Sequence, residues 1–193
     1  MAQAVLQRTT TVSDHVWRAE ELDGLPAGYR YELVEGVVYM APMPAWPHGA
    51  VAQNLADLLS PWVRARKLGR ILSAQTGIYY GAHNYLDPDL LYLRPEQVPT
   101  HRGERVTQAT LAVEVLSPSN LRASREDREA LFHRAGLEEL WYVDYDARTL
   151  EVRRRTEAGF TTVRTFRGDE QVTSESFPGL ELPLAEVWAD LEA

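Results

Sequence analysis

The chain contains no cysteine, which excludes a disulfide framework, a thiolate metal site and a cysteine nucleophile. Lysine is almost missing too: Lys67 stands alone among 20 Lys and Arg residues. Net positive charge is absent, the formal charge being −8. That argues against non-specific adhesion to nucleic acid, because phosphate binding needs a positive surface. It leaves room for a local basic patch, and arginines cluster in VRARKLGR, NLRASREDR and EVRRR. No N-terminal apolar segment reads as a signal peptide and no run approaches membrane-spanning length, so a cytoplasmic location is expected.

What is present is ordinary for a globular chain. With 193 residues, 45% hydrophobic and 25% charged, it is long enough for a sizeable core and is most simply one domain. Residues around 13–22 (SDHVWRAEEL) predict a short helix with Ser13 near its cap, within an extension of residues 1–28. YRYELVEGVVYMAP predicts a hairpin turning at Glu35-Gly36. From His48 to about Lys67, Val51, Leu55, Leu58, Leu59 and Trp62 trace one helical face, which Pro61 should kink or split. GRILSAQTGIYYG and DLLYL predict two strands joined by the turn-rich GAHNYLDP. A loop over about 94–109 leads into the strand LAVEVLS, SPSN is a turn, and residues 122–135 predict a second helix with Gly136 as C-cap.

ELWYVD then reads as an apolar strand, and TLEVRRR with FTTVRTF alternates as a half-exposed hairpin should. Residues 183–193 close as a short helix with Pro183 in its first turn. The order is helix, three strands, helix, strand, with hairpins added at both ends. It predicts an α/β fold with a mixed sheet, because strand–helix–strand around 111–144 demands a crossover connection.

Two acids sit awkwardly in this plan. Asp89 opens the run Leu90-Leu91-Tyr92-Leu93, and Glu114 lies inside Leu111-Ala112-Val113-Glu114-Val115-Leu116. A carboxylate in a buried strand is costly unless it is paired, protonated or bound to a metal. On adjacent strands the two would lie side by side at one end of the sheet, where a divalent cation is the natural counter-charge. Mg²⁺ favours oxygen ligands and commonly takes only one or two protein carboxylates. Such an ion can polarise a phosphoryl oxygen and generate hydroxide near neutral pH. Plainer readings compete. Asp87-Pro88-Asp89 can be a turn, and Glu114 can face solvent on an edge or pair with an arginine.

YELVEG, PMPAWPH before a helix, TGIYY, PDLLYL, VEVLSPS, AGLEELWYVD and the tail SFPGLELPLAEVW occur in that order. Together, from about residue 29 to the C-terminus, they resemble the Uma-two family of restriction-endonuclease-like proteins, within the PD-(D/E)XK nuclease superfamily. The resemblance implies a restriction-endonuclease-like core within residues 29–182 and Mg²⁺-dependent phosphodiester cleavage, with Mn²⁺ able to substitute. It implies Asp89 and Glu114 as metal ligands. The wider superfamily carries a lysine two residues past that glutamate, where this chain has Leu116. The Uma-two pattern moves it to the following helix, four residues before an aromatic that is four before a glycine. Counting back from Gly136 through Phe132 gives Arg128. Arginine keeps its charge at any working pH and clamps phosphate better than it exchanges protons. Arg128 can therefore stabilise transition-state charge, or simply pair with Glu114 or Glu129.

Three further residues are candidates. Gln75 stands where the resemblance often places an acid before TG, although a satisfied strand-edge amide explains it as well. His48 opens the long helix and can approach phosphate or metal, or serve only as a helix-start residue. Glu32 can be a third carboxylate or a hairpin salt-bridge partner. Asp144 ends a strand and most simply starts a turn. The leading expectation is a Mg²⁺-dependent endonuclease acting on DNA, dimeric because duplex backbones are related by twofold symmetry. The rival is a nuclease-like binding or scaffolding protein impaired by Arg128 standing for lysine. Glycoside hydrolysis by two carboxylates fits least, since no sugar groove is indicated.

Overall fold

The computed structural model describes residues 15–73, 76–116 and 123–191. Its centre is a six-stranded sheet. The strands are β3 (Arg70–Ser73), β6 (Leu90–Leu93), β7 (Leu111–Val115), β8 (Glu139–Asp144), β9 (Thr149–Thr156) and β10 (Gly159–Arg167). They lie in the order β10-β9-β8-β7-β6-β3. Neighbours are antiparallel except β7 and β8, which run parallel and are joined through helix α2 (Arg125–Arg134). All five residues of β7 are buried. That follows from its central place, with apolar material on both faces.

Alternation sorts the side chains into two layers. Leu90, Tyr92, Leu111, Val113 and Val115 pack with Val51, Leu55, Leu59 and Val63 of helix α1 (Trp46–Ala65). Leu91, Leu93, Ala112, Leu140 and Tyr142 pack with Leu131 and Phe132 of α2 and with Leu137. Helix α2 is capped by Ser124, whose side chain accepts from the Asp127 N–H, and Gly136 follows its end at φ 82.

A second sheet comprises β1 (Tyr29–Val34), β2 (Val37–Pro42), β4 (Ile78–Tyr79) and β5 (Tyr85–Leu86), ordered β2-β1-β5-β4. Glu35 and Gly36 turn its hairpin with φ of 50 and 77, the positive-φ pair that a two-residue hairpin loop needs. A two-stranded ribbon, β11 (Gln171–Val172) with β12 (Leu182–Pro183), and the single turn α3 (Leu184–Val187) complete the chain.

Several elements differ from the sequence expectation. The run over 69–81 is not one strand: β3 belongs to the large sheet and β4 to the small one. Gly77 makes the transfer possible, because a Cβ there would lie 2.3 Å from the Tyr85 ring and 2.4 Å from the Leu86 carbonyl. GAHNYLDP is not only a turn, since it contains β5. The first helix is a 3₁₀ segment, Ala19–Gly24, and Ser13 lies outside the described residues. Pro61 does not split α1, because it lies on the exposed side while Leu59 and Val63 continue the buried stripe. The C-terminal helix is confined to Leu184–Val187. The SPSN turn lies outside the described residues.

Candidate active site

Seven charged side chains among the described residues are buried Asp, Glu or Arg: Arg30, Glu32, Asp87, Asp89, Glu114, Arg128 and Glu139. Glu139 is accounted for locally by the Trp141 indole N–H at 2.6 Å. The other six come together at one end of the large sheet. Asp89 precedes β6, just beyond the pair Leu90–Val113. Its N–H donates to the Val113 carbonyl at 3.0 Å, and its Oδ2 accepts from the Val115 N–H at 2.7 Å. Asp89 is thus held to the residues on either side of Glu114.

The small sheet supplies the first cation. In β1, Arg30 and Glu32 are two residues apart and share one face. The Arg30 guanidinium donates through Nε to Asp87 Oδ2 at 2.9 Å, through one terminal nitrogen to Asp89 Oδ1 at 2.6 Å, and through the other to the Asp87 carbonyl. Burial works against this charge, but Asp89, Asp87 and Glu114 outweigh it and hold Arg30 above the usual arginine range. Arg128, on α2, supplies the second. It donates to Glu114 and approaches Glu32 Oε1 at 3.0 Å. That approach is an ion pair without hydrogen-bond geometry: both Glu32 oxygens are buried with no hydrogen-bond partner among the described residues. Tyr142, opposite Glu114 in β8, is held well above the ordinary phenol range by burial, then by Glu114 and Glu129.

The Asp89 end of the cluster meets solvent. A cleft of about 360 Å³ opens at the start of α1, lined by Arg30, Met43, Trp46, His48, Ser73 and Asp89 among others. His48 Nε2 lies 3.3 Å from Asp89 Oδ2. Among the described residues helix α1 begins there with no side-chain cap and no acid in its first turn, so the positive end of its dipole lies at the cleft. A separate concavity of about 500 Å³ against Arg148, Asp169 and Trp188 shares none of these residues.

The family model Uma2, described as "Putative restriction endonuclease", matches residues 19–185. The chain belongs to the Uma2 family. Among solved structures, one of "a putative nuclease belonging to DUF820" from Anabaena variabilis is similar, with 21% identity and a TM-score of 0.70. The match covers 88% of this chain and 96% of that one. The likeness shows the fold: a mixed α/β, restriction-endonuclease-like architecture. No curated protein matches the chain.

Within this Uma2 fold, Asp89, Glu114, Arg128, Glu32 and His48 are all buried and lie in one connected cluster. Gln75 lies outside the described residues. Arg128 pairs with Glu114, one of the two partners expected of it, but it is buried and does not line the cleft. Arg30 and Asp87 complete the cluster without having been expected there. Their one local signal was Arg30 and Glu32 alternating on a strand otherwise rich in Tyr, Leu and Val. Among the described residues no helix is long and apolar enough to cross a membrane.

Proposed function

We propose that this Uma2 protein is a metal-dependent endonuclease hydrolysing phosphodiester bonds of DNA, with Asp89 and Glu114 holding Mg²⁺ or Mn²⁺. The observation that carries the reading is the placement of Asp89, recessed in an open cleft and hydrogen-bonded to both neighbours of Glu114. Among the described residues no three His, Asp or Glu side chains converge as a metal-holding group. Mg²⁺ does not require three, since one or two carboxylates plus waters are its common protein share. The donor chemistry fits. Four carboxylates and two guanidinium groups occupy the buried cluster among the described residues, and the two Glu32 oxygens have no hydrogen-bond donor. Oxygen-rich, carboxylate-heavy surroundings suit a hard cation.

When bound, the cation would supply Lewis-acid polarisation of a phosphoryl oxygen and a more acidic water. The chain's own residues do the rest. Arg30 fixes the carboxylates of Asp87 and Asp89, while Arg128 fixes Glu114. Arg30, His48 and the free N–H groups at the start of α1 are donors that the cleft offers to an entering phosphate. Arg128 acts here as a positioning residue, because Glu114 and Glu32 already engage it. The test is incubation of purified protein with plasmid and with linear DNA, with Mg²⁺, Mn²⁺ or chelator, beside Asp89→Ala. Cation-dependent cleavage that Asp89→Ala removes is expected. Cleavage surviving the substitution would place the activity elsewhere.

The arginine pairing of these acids favours a second reading, a nuclease-like binding or scaffolding protein. Arg128→Lys separates the two. A lysine is a compact charge that sheds its proton when buried more readily than arginine. The nuclease reading expects Arg128→Lys to keep or raise the cleavage rate. The scaffolding reading expects no cleavage from either form and no heat on titrating Mn²⁺ in a calorimeter.

A further inference from the structure

Two of the large hydrophobic side chains most exposed to water, Trp46 at 59% and Met43 at 50%, lie on the same cleft as Arg30, His48 and Asp89. The ring of Trp46 takes no place in either core layer. Its backbone is set by helix α1. Trp46 is the first residue of the 20-residue helix α1, and Pro47 follows it. A large exposed aromatic beside a charged recess suits a flat apolar group joined to a charged one.

The depth of the acids narrows the choice. Asp89 is 1% exposed and Arg30 8%, so a phosphodiester must descend into the cleft to meet them. A cleft of about 360 Å³ is at the small end of ligand sites. A duplex keeps its bases stacked and paired inside the helix, so one can meet an aromatic at the cleft mouth only by leaving the stack. An unpaired strand has its bases free to do so. Its base would then stand at the mouth, where an aromatic face supplies stacking to any of the bases.

We infer that Trp46 stacks on an unpaired base beside the scissile phosphate, so that the favoured substrate is single-stranded or locally unpaired DNA. The inference rests on the nuclease reading and adds to it the form of the nucleic acid. A second copy of the chain would cover the apolar rim equally well, but would leave the charged floor of the cleft without a role.

The experiment is fluorescence anisotropy with a labelled single-stranded oligonucleotide and a blunt hairpin duplex, Ca²⁺ replacing Mg²⁺, on the full chain, Trp46→Ala and Trp46→Phe. The parent is expected to prefer the single strand. Trp46→Ala should weaken single-strand binding about tenfold, within the range of one lost base–aromatic stack, with little change on the duplex. Trp46→Phe should recover most of the affinity, and the parent's tryptophan emission should be quenched on binding. Equal loss on both nucleic acids, or no loss on either, overturns the inference alone. So does a change from dimer to monomer in Trp46→Ala by light scattering, which would make the ring a subunit contact. Failure of the parent to bind any nucleic acid takes the nuclease reading down as well.

Discussion

Glu114→Gln is expected to abolish cleavage while leaving the fold as stable as the parent, or more so. Glu114 is 1% exposed in a central strand and pairs with Arg128. If its purpose were structural, removing its charge would break a buried ion pair, at a cost of about 3–5 kcal/mol. The cluster makes the opposite outcome the expected one. Arg128 also has Glu32 within 3.0 Å, so neutralising Glu114 does not leave the guanidinium without a carboxylate. The amide oxygen that Glu114→Gln introduces can still accept from it. Four buried carboxylates facing two guanidinium groups also repel one another, and one fewer charge lowers that repulsion. Cleavage, in contrast, should fall by more than the roughly 10–100-fold that loss of a group merely supporting a metal ligand costs. Thermal unfolding and a plasmid-cleavage time course on the same preparation decide it. A large drop in stability with cleavage retained would make Glu114 a structural residue.

The same cluster shows what the chain discloses locally and what it does not. Strands β6 and β7 were legible because an unbroken apolar run bounded by turn residues has few other homes, and an acid inside such a run is conspicuous. Helix α1 was legible from its apolar repeat, although the repeat could not tell whether Pro61 would end it. That depended on Pro61 falling on the solvent side. Arg128 came into view through family resemblance, not through its own helix, where it is one charged residue among several. Arg30 and Asp87 stayed hidden for a physical reason. Each is unremarkable among its sequence neighbours, the one opening a hairpin and the other preceding a proline. They are buried because the small sheet docks on the large one, and the contacts that bury them join residues 57 and 59 positions apart. Likewise β4 and β5 are two residues each, too short for any periodicity to register, and only their partners in β1 and each other define them.

Arg30→Ala is expected to be the most destabilising single change at the site, and partly reversible by a divalent cation. Arg30 is 8% exposed and gives three hydrogen bonds, two to Asp87 and one to Asp89. It therefore ties β1 of the small sheet to the entrance of β6 in the large one. Truncation leaves two buried carboxylates without the guanidinium between them, a loss of about 3–5 kcal/mol. For a chain of this size that is a fall in Tm of roughly 10 °C. Two controls separate charge from packing. Asp87→Asn added to Arg30→Ala removes one of the stranded charges, so the double variant should regain part of the loss. The coupling between the two sites should then exceed that of residues not in contact. Mn²⁺ should raise the Tm of Arg30→Ala by more than it raises the parent's, because binding to the folded state stabilises in proportion to affinity and the variant holds its carboxylates with one fewer competing cation. Differential scanning fluorimetry across a Mn²⁺ series, with Asp89→Ala as the metal-blind reference, measures both effects. An Arg30→Ala protein that melts with the parent, or one that responds to Mn²⁺ no more than the Asp89→Ala reference, would mean that the two sheets are joined by packing alone and that Arg30 does not share its carboxylates with a metal.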